Sequence, residues 1–179
     1  MKNEFHIETN RLVLRKLERK DLPAVFCYRS QKNVSEFQSF MPTSLKDMET
    51  FYLDIASTPN IPNTWFQLAV LLREENILIG DIGIHFLENN NQVEIGYTLD
   101  PHYQRQGYAY EAVSSVITYL FLHFKKDIIL ASVDKNNARS IHLLTKLGFK
   151  QRIHISGESL NDKYSDDDIY VLNNEYRKD

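Results

Sequence analysis

QVEIGYTLDPHYQRQGYAYEAVSSVITYLFLHFKKDIILASV, residues 92–133, changes its hydrophobic rhythm twice. Its first eight residues are rich in β-formers, and Pro101 follows them as a stop. From there Ala109, Ala112, Val113, Val116, Ile117, Leu120, Phe121 and Phe124 keep the i, i+3, i+4 spacing of a helix with one apolar face. DIILASV, residues 127–133, is short and nearly continuous in apolar residues, the pattern of a strand covered on both sides. A strand, a helix and a strand in that order imply a crossover, and the two strands it joins are expected to run parallel.

Working outward, WFQLAVLL (65–72) and ILIGDIGIHFL (77–87) precede this unit as two further β-rich runs. The turn-prone residues 73–76 and 88–91 separate the three runs, which predicts an antiparallel meander. Residues 11–17 alternate Leu12, Leu14 and Lys16 as a strand with one wet face. Asp21 offers a cap and Pro23 suits a first turn for a helix carrying Leu22, Val25, Phe26 and Arg29. Ser44 with Asp47 opens a second helix with Met48, Phe51, Tyr52 and Ile55 on its inner face. Downstream, Asn137 can cap a helix with Ile141, Leu144 and Leu147, which Gly148 ends. Residues 149–155 and 169–172 supply closing strands. The expected fold is α/β (α+β): a mixed, mostly antiparallel twisted sheet of about seven strands with about four helices on it.

The chain has 179 residues, no repeat and no Gly/Ser-rich linker, and is read as one domain, 1–179. With 21 basic and 24 acidic residues it lacks the clustered cations of a nucleic-acid binder. Cys27 is the only cysteine, so neither an internal disulfide nor a multi-cysteine zinc site is expected. Charge interrupts residues 1–15 throughout, unlike a secretory signal. The longest largely apolar run, 116–124, is too short to span a bilayer. A cytoplasmic protein with no membrane, metal or nucleic-acid partner is the expectation.

Chemistry concentrates in PHYQRQGYAYE, residues 101–111. A helix begins there, and the first turn of a helix offers unpaired N–H groups and a positive dipole end to phosphate. Gly107 allows close backbone approach, Ala109 leaves room, and Arg105 can add a charge-assisted contact. An ordinary turn would look the same. Neither Walker A nor the dinucleotide fingerprint is present, since Gly80 and Gly83 lack a third glycine and open no helix.

Here the sequence resembles the GNAT acyltransferases, and within them the RimJ/RimL-like ribosomal-protein N-acetyltransferases. QRQGYA (104–109) fits the acyl-CoA signature, and ETNRLVLRKLERKDL, IGDIG, VEIGYTLDP, GYAYEA, NNARS and KLGF follow in the expected order along almost the whole chain. The resemblance implies the GNAT fold and acetyl-CoA as co-substrate. Its pyrophosphate would lie on the amides of Gln104, Arg105, Gln106, Gly107, Tyr108, Ala109 and Tyr110. Two parallel strands would splay, so that pantetheine pairs with the edge at Tyr97, Thr98 and Leu99, with a backbone N–H facing the thioester oxygen. Gly96 fits a bulge there, or plain packing. Asn137 matches the family's asparagine beside pantetheine, and equally suits a helix cap.

Transfer to an amine needs a neutral nucleophile and a proton for the departing thiolate. Glu94 matches the glutamate base of several GNAT enzymes; otherwise it is a solvated or salt-bridged strand carboxylate. Many relatives supply the proton from a tyrosine three residues before Leu-Gly-Phe, where this chain has Leu144. Ser140, one turn earlier, is the replacement, with Tyr108, Tyr110 and solvent as alternatives. The six histidines lack metal-site spacing and read as surface or structural groups. Cys27 reads as a packed thiol, and residues 166–168 as a solvated acidic run that could attract a cationic acceptor. Trp65, Phe37, Phe40 and Tyr52 could line an acceptor cleft, with core packing as the default.

Three functions follow. The first is an acetyl-CoA-dependent N-acetyltransferase acting directly on a protein N-terminal α-amine, with polyamines, amino acids and aminoglycosides open as acceptors. The second is a weakly catalytic acyl-CoA-binding regulatory module. The third, a ribosome or RNA adaptor, would need a basic face. Either a monomer or a homodimer suits these readings.

Overall fold

The computed structural model describes residues 5–152 and 167–174. β1 (His6–Glu8) and β2 (Leu12–Lys16) pair antiparallel. A 3-10 turn at Arg19–Asp21 leads into α1 (Leu22–Arg29), followed by α2 (Lys32–Ser35) and α3 (Leu45–Asp54). Next come β3 (Thr64–Leu72), β4 (Leu78–Phe86), β5 (Gln92–Leu99), α4 (Tyr108–Leu122) and β6 (Ile128–Val133). The chain then forms α5 (Ala138–Lys146), β7 (Lys150–Gln151) and β8 (Asp168–Asn173). Among the described residues the sheet has eight strands in the order β1-β2-β3-β4-β5-β6-β8-β7. Of these strands only β5 and β6, joined through α4, run parallel.

This is the expected mixed sheet with two additions. β1 and α2, of three and four residues, are too short to show a period in the sequence. β7 covers only Lys150–Gln151 of the strand expected at 149–155, whose last three residues lie outside the described ones. Asp21 does not cap α1. Its carboxylate instead accepts from the Glu18 N–H at 2.8 Å and pairs with Arg15 at 2.7 and 2.9 Å. Ser44 does cap α3, accepting from the Asp47 N–H at 3.2 Å.

Alternation along the strands sorts side chains onto two faces. One face, with Phe66, Leu68, Val70, Val93, Ile95, Ile129 and Ala131, packs against Val113, Val116 and Leu120 of α4 and Leu144 of α5. The other packs Ala69 and Leu71 with Leu17, Leu22, Val25, Tyr28 and Met48. On that second face Arg29, placed by its helical spacing among apolar residues, meets Asp81 of β4 at 2.5 Å. Tyr28 and Gln67 also donate to this fully buried carboxylate. Among the described residues, no helix is long and apolar enough to cross a membrane.

Candidate active site

β5 and β6 pair only from Gln92↔Ile128 to Glu94↔Leu130. Beyond Glu94, the edge of β5 through Tyr97, Thr98 and Leu99 loses β6 as a partner, while its other edge stays paired with β4 up to Leu99. The β4–β5 register is unbroken through Gly83↔Gly96, so Gly96 is not a bulge. It lies two residues past Glu94, the last residue of β5 that pairs with β6. The parting opens toward the C-terminal ends of both strands, and α4 and α5 each start just after one of those ends.

Gly107 stands at the start of α4 with φ +82°, a left-handed conformation natural to glycine, and Arg105 before it has φ +61°. The first intrahelical bond runs from the Glu111 N–H to the Gly107 carbonyl at 3.1 Å. The amides of Tyr108, Ala109 and Tyr110 precede it and have no acceptor within the helix. A Cβ on Gly107 would come within 3.3 Å of the Arg11 guanidinium. Arg11 braces the turn: it donates to the Gln106 carbonyl at 3.0 Å and to Glu111 at 2.7 Å, and it lies 4.3 Å over the Tyr108 ring. Thr9 Oγ1 and the Arg11 N–H donate to the other Glu111 oxygen at 2.6 and 2.9 Å. Burial alone would raise the Glu111 carboxyl; these bonds outweigh it and hold the group below the ordinary glutamate value. Arg105 and Gln106 are exposed, and Tyr110 sits under the Lys146 ammonium at 4.9 Å.

The same turn is tied to α5. Gln104 donates to the Leu99 carbonyl at 3.1 Å and accepts from Arg139 at 3.2 Å. Asn137 caps α5, its Oδ1 accepting from the Ser140 N–H at 3.2 Å. Ser140 Oγ lies 2.8 Å from the Tyr97 hydroxyl, joining α5 to the free stretch of β5. Burial, opposed only by this bond, pushes the Tyr97 phenol up to about 12. Leu144 is fully buried. The structure therefore brings Tyr97, Ser140, Asn137 and Gln104 together at one end of the parting, with Gly107 heading the adjacent helix.

Glu94 lies apart from them, on the opposite face of β5. Ser132 Oγ donates to its Oε1 at 2.9 Å, and His85 Nδ1 is 3.7 Å from its Oε2. Trp65 stacks on His85 with ring centroids 4.8 Å apart. Thr98 shares this face and donates to Gln38 at 3.0 Å. His85 was read from the sequence only as one scattered histidine. The hairpin register that sets it opposite Glu94 could have singled it out. The side-chain role of Tyr97 had no sequence signal, because it depends on where α5 returns.

Other candidates resolve simply. Phe40 stacks on Phe51 at 4.7 Å, and Tyr52 packs in the same cluster, while Phe37 is half-buried. Cys27 is exposed and not a packed thiol, because Phe26 and Tyr28 take the inward positions beside it. His154 and Asp166 lie outside the described residues. Among those described, no cluster of three or more His, Cys, Asp or Glu side chains gathers as a metal site.

A parting between parallel strands, flanked by two helix starts, is the arrangement that the resemblance to the GNAT acyltransferases implies. The sequence model of the acetyltransferase (GNAT) domain matches residues 11–150, and the chain belongs to the GNAT acetyltransferase family. The uncharacterized N-acetyltransferase YnaD of Bacillus subtilis is 31% identical over 147 residues, 82% of this chain and 84% of that protein. A GNAT-family acetyltransferase from Bacillus anthracis has a TM-score of 0.81 at 27% identity, covering 96% of this chain and 99% of its own. The fold is shared with Vibrio cholerae spermidine N-acetyltransferase in complex with CoA and spermine, at TM-score 0.76 and 21% identity, over 93% of this chain and 97% of that one. It is shared equally with the ribosomal α-N-protein acetyltransferase RimL in complex with coenzyme A, at TM-score 0.76 and 16% identity, over 94% and 97%. The protein is an acyltransferase with N-acetyltransferase homologues.

Proposed function

We propose that this acyltransferase moves an acetyl group from acetyl-CoA directly to a primary amine in a ternary complex, and that the amine is a protein N-terminal α-amine. The parting of β5 from β6 between the starts of α4 and α5 is the observation that carries the reading. The residues fit the donor: a helix start headed by Gly107 offers amides to pyrophosphate, and the edge at Tyr97, Thr98 and Leu99 can pair with pantetheine. Gln104, Arg105, Gln106, Gly107, Tyr108, Ala109 and Tyr110 form the phosphate seat, and Asn137 stands beside the arm. CoA in the RimL and spermidine acetyltransferase complexes supports this choice.

Glu94 and Ser140 flank the parting from opposite faces of the sheet, which suits direct transfer. Glu94 takes the proton the amine sheds as its lone pair forms the C–N bond. As the C–S bond breaks, Ser140 supplies its hydroxyl proton to the thiolate, with Tyr97 and solvent behind it. The RimJ/RimL-like motifs favour a peptide N-terminus; the spermidine acetyltransferase likeness keeps a small amine as the second reading. The enzyme acts in the cytoplasm as one domain, alone or as a homodimer.

The test is thiol release from acetyl-CoA across Ser- and Ala-starting peptides, spermidine, free amino acids and an aminoglycoside, with products identified by mass. Turnover confined to peptides is expected, and Glu94→Gln should lower kcat by about a hundredfold or more with CoA affinity unchanged. Turnover on spermidine alone would replace the acceptor. Acetyl-CoA binding with no acetylated amine would favour a regulatory module.

A further inference from the structure

The strand registers arrange one sheet face as a grid. Trp65, His85 and Glu94 are aligned across β3, β4 and β5; the next row is Gln67, Gly83 and Gly96; the third contains Asp81 and Thr98. The middle row therefore has two adjacent glycines between side-chain-bearing rows, a trough running across the strands. It ends at the free edge of β5, beside Tyr97.

The two glycines differ in what covers them. A Cβ on Gly83 would meet Gln67 Oε1 at 2.9 Å and the Trp65 ring at 3.1 Å, so that half is already filled. A Cβ on Gly96 would meet nothing within 4 Å, so that half is open. Gln67 cannot turn freely. Its NH2 group donates to Asp81, whose carboxylate can only accept, so its carbonyl oxygen faces the trough. Asp81 is neutralised by Arg29 and withdrawn from it. The open half at Gly96 thus adjoins the filled half, where Gln67 Oε1 and the Trp65 ring cover Gly83, and the row that carries Glu94, so two held acceptors stand on its sides.

Resting on the acetyl-transfer reading, we infer that Gly96 is the floor of the acceptor subsite, where an unhindered primary amine lies with its N–H groups toward Gln67 Oε1 and Glu94. Gly96 sets the size limit: a methyl group there projects into the open space above the strand and crowds the nitrogen and its carbon. Gln67 is a specificity determinant, since two acceptors select a nitrogen that carries at least two hydrogens.

Gly96→Ala tests this cleanly, because the free protein has room for the added methyl. Calorimetric CoA affinity should stay within about twofold and Tm should not fall, while kcat/KM for the amine falls by about tenfold or more. Wild-type kcat/KM in the variant for every accepted amine would overturn the subsite, although acetyl transfer itself would stand. Failure of the wild type to acetylate any amine would instead remove the reading beneath it. A second measurement does not depend on the variant. Trp65 is the only tryptophan in the chain. Titrating the wild-type CoA complex with spermidine or an Ala-starting tripeptide, whichever turns over, should give a saturable change in emission with a midpoint near KM; a flat titration overturns the placement.

Discussion

Tyr97 shows how one side chain acquires two constraints. Its backbone belongs to the free edge of β5, while its hydroxyl is held against Ser140 on α5. Burial keeps the phenol protonated up to about pH 12, so at working pH it keeps its proton beside the Ser140 hydroxyl. The folded form therefore holds this proton more tightly than the unfolded chain, whose tyrosines titrate near 10. The associated stability is complete below about pH 10 and is lost as pH rises toward about 12. Tyr97→Phe should shrink that alkaline loss, leaving the parts due to Tyr28 and Tyr170, which burial also raises. Denaturant melts between pH 9 and 11.5 check this expectation, and kcat at neutral pH should drop by about tenfold if Ser140 needs its partner.

Among elements, the start of α4 carries the most consequence. Gly107 adopts a conformation that costs an L-residue about 1–2 kcal/mol, and its α-hydrogen faces the Arg11 guanidinium. Gly107→Ala should lower stability by about that amount and weaken CoA binding, because Arg11 must shift and the amides of the first turn move with it. Chemical denaturation and calorimetric CoA titration read the two effects separately. The turn was legible in QRQGYA because its signal is local: a glycine ahead of a helical period. Its brace was not, since Arg11 and Glu111 stand 100 residues apart. Asn137 was legible both ways, and its capping bond leaves the chemical role to experiment.

Across the whole molecule, the sheet holds two halves together through the short parallel contact of β5 with β6. A ligand lying along the parted strands would tie the α4 side to the α5 side. Ligand bound only to the folded state at a hundredfold its Kd contributes about 2.7 kcal/mol. For a chain of this length that should raise Tm by about 5–10 °C, a shift visible in a thermal scan with CoA and absent with adenosine alone.

The sequence by itself determined the order of elements, the antiparallel meander, the parallel crossover and the glycine-led helix start. Each of these follows from periods and turn residues within a few positions of one another. Tertiary structure alone decided that Glu94 and Ser140 stand on opposite faces of the parted strands, and that Arg29 enters the core to meet Asp81. It alone placed Gly83 beside Gly96 to form a trough. These depend on strand register and on where helices return, which arise from packing between segments far apart in the chain, where no local period carries the information.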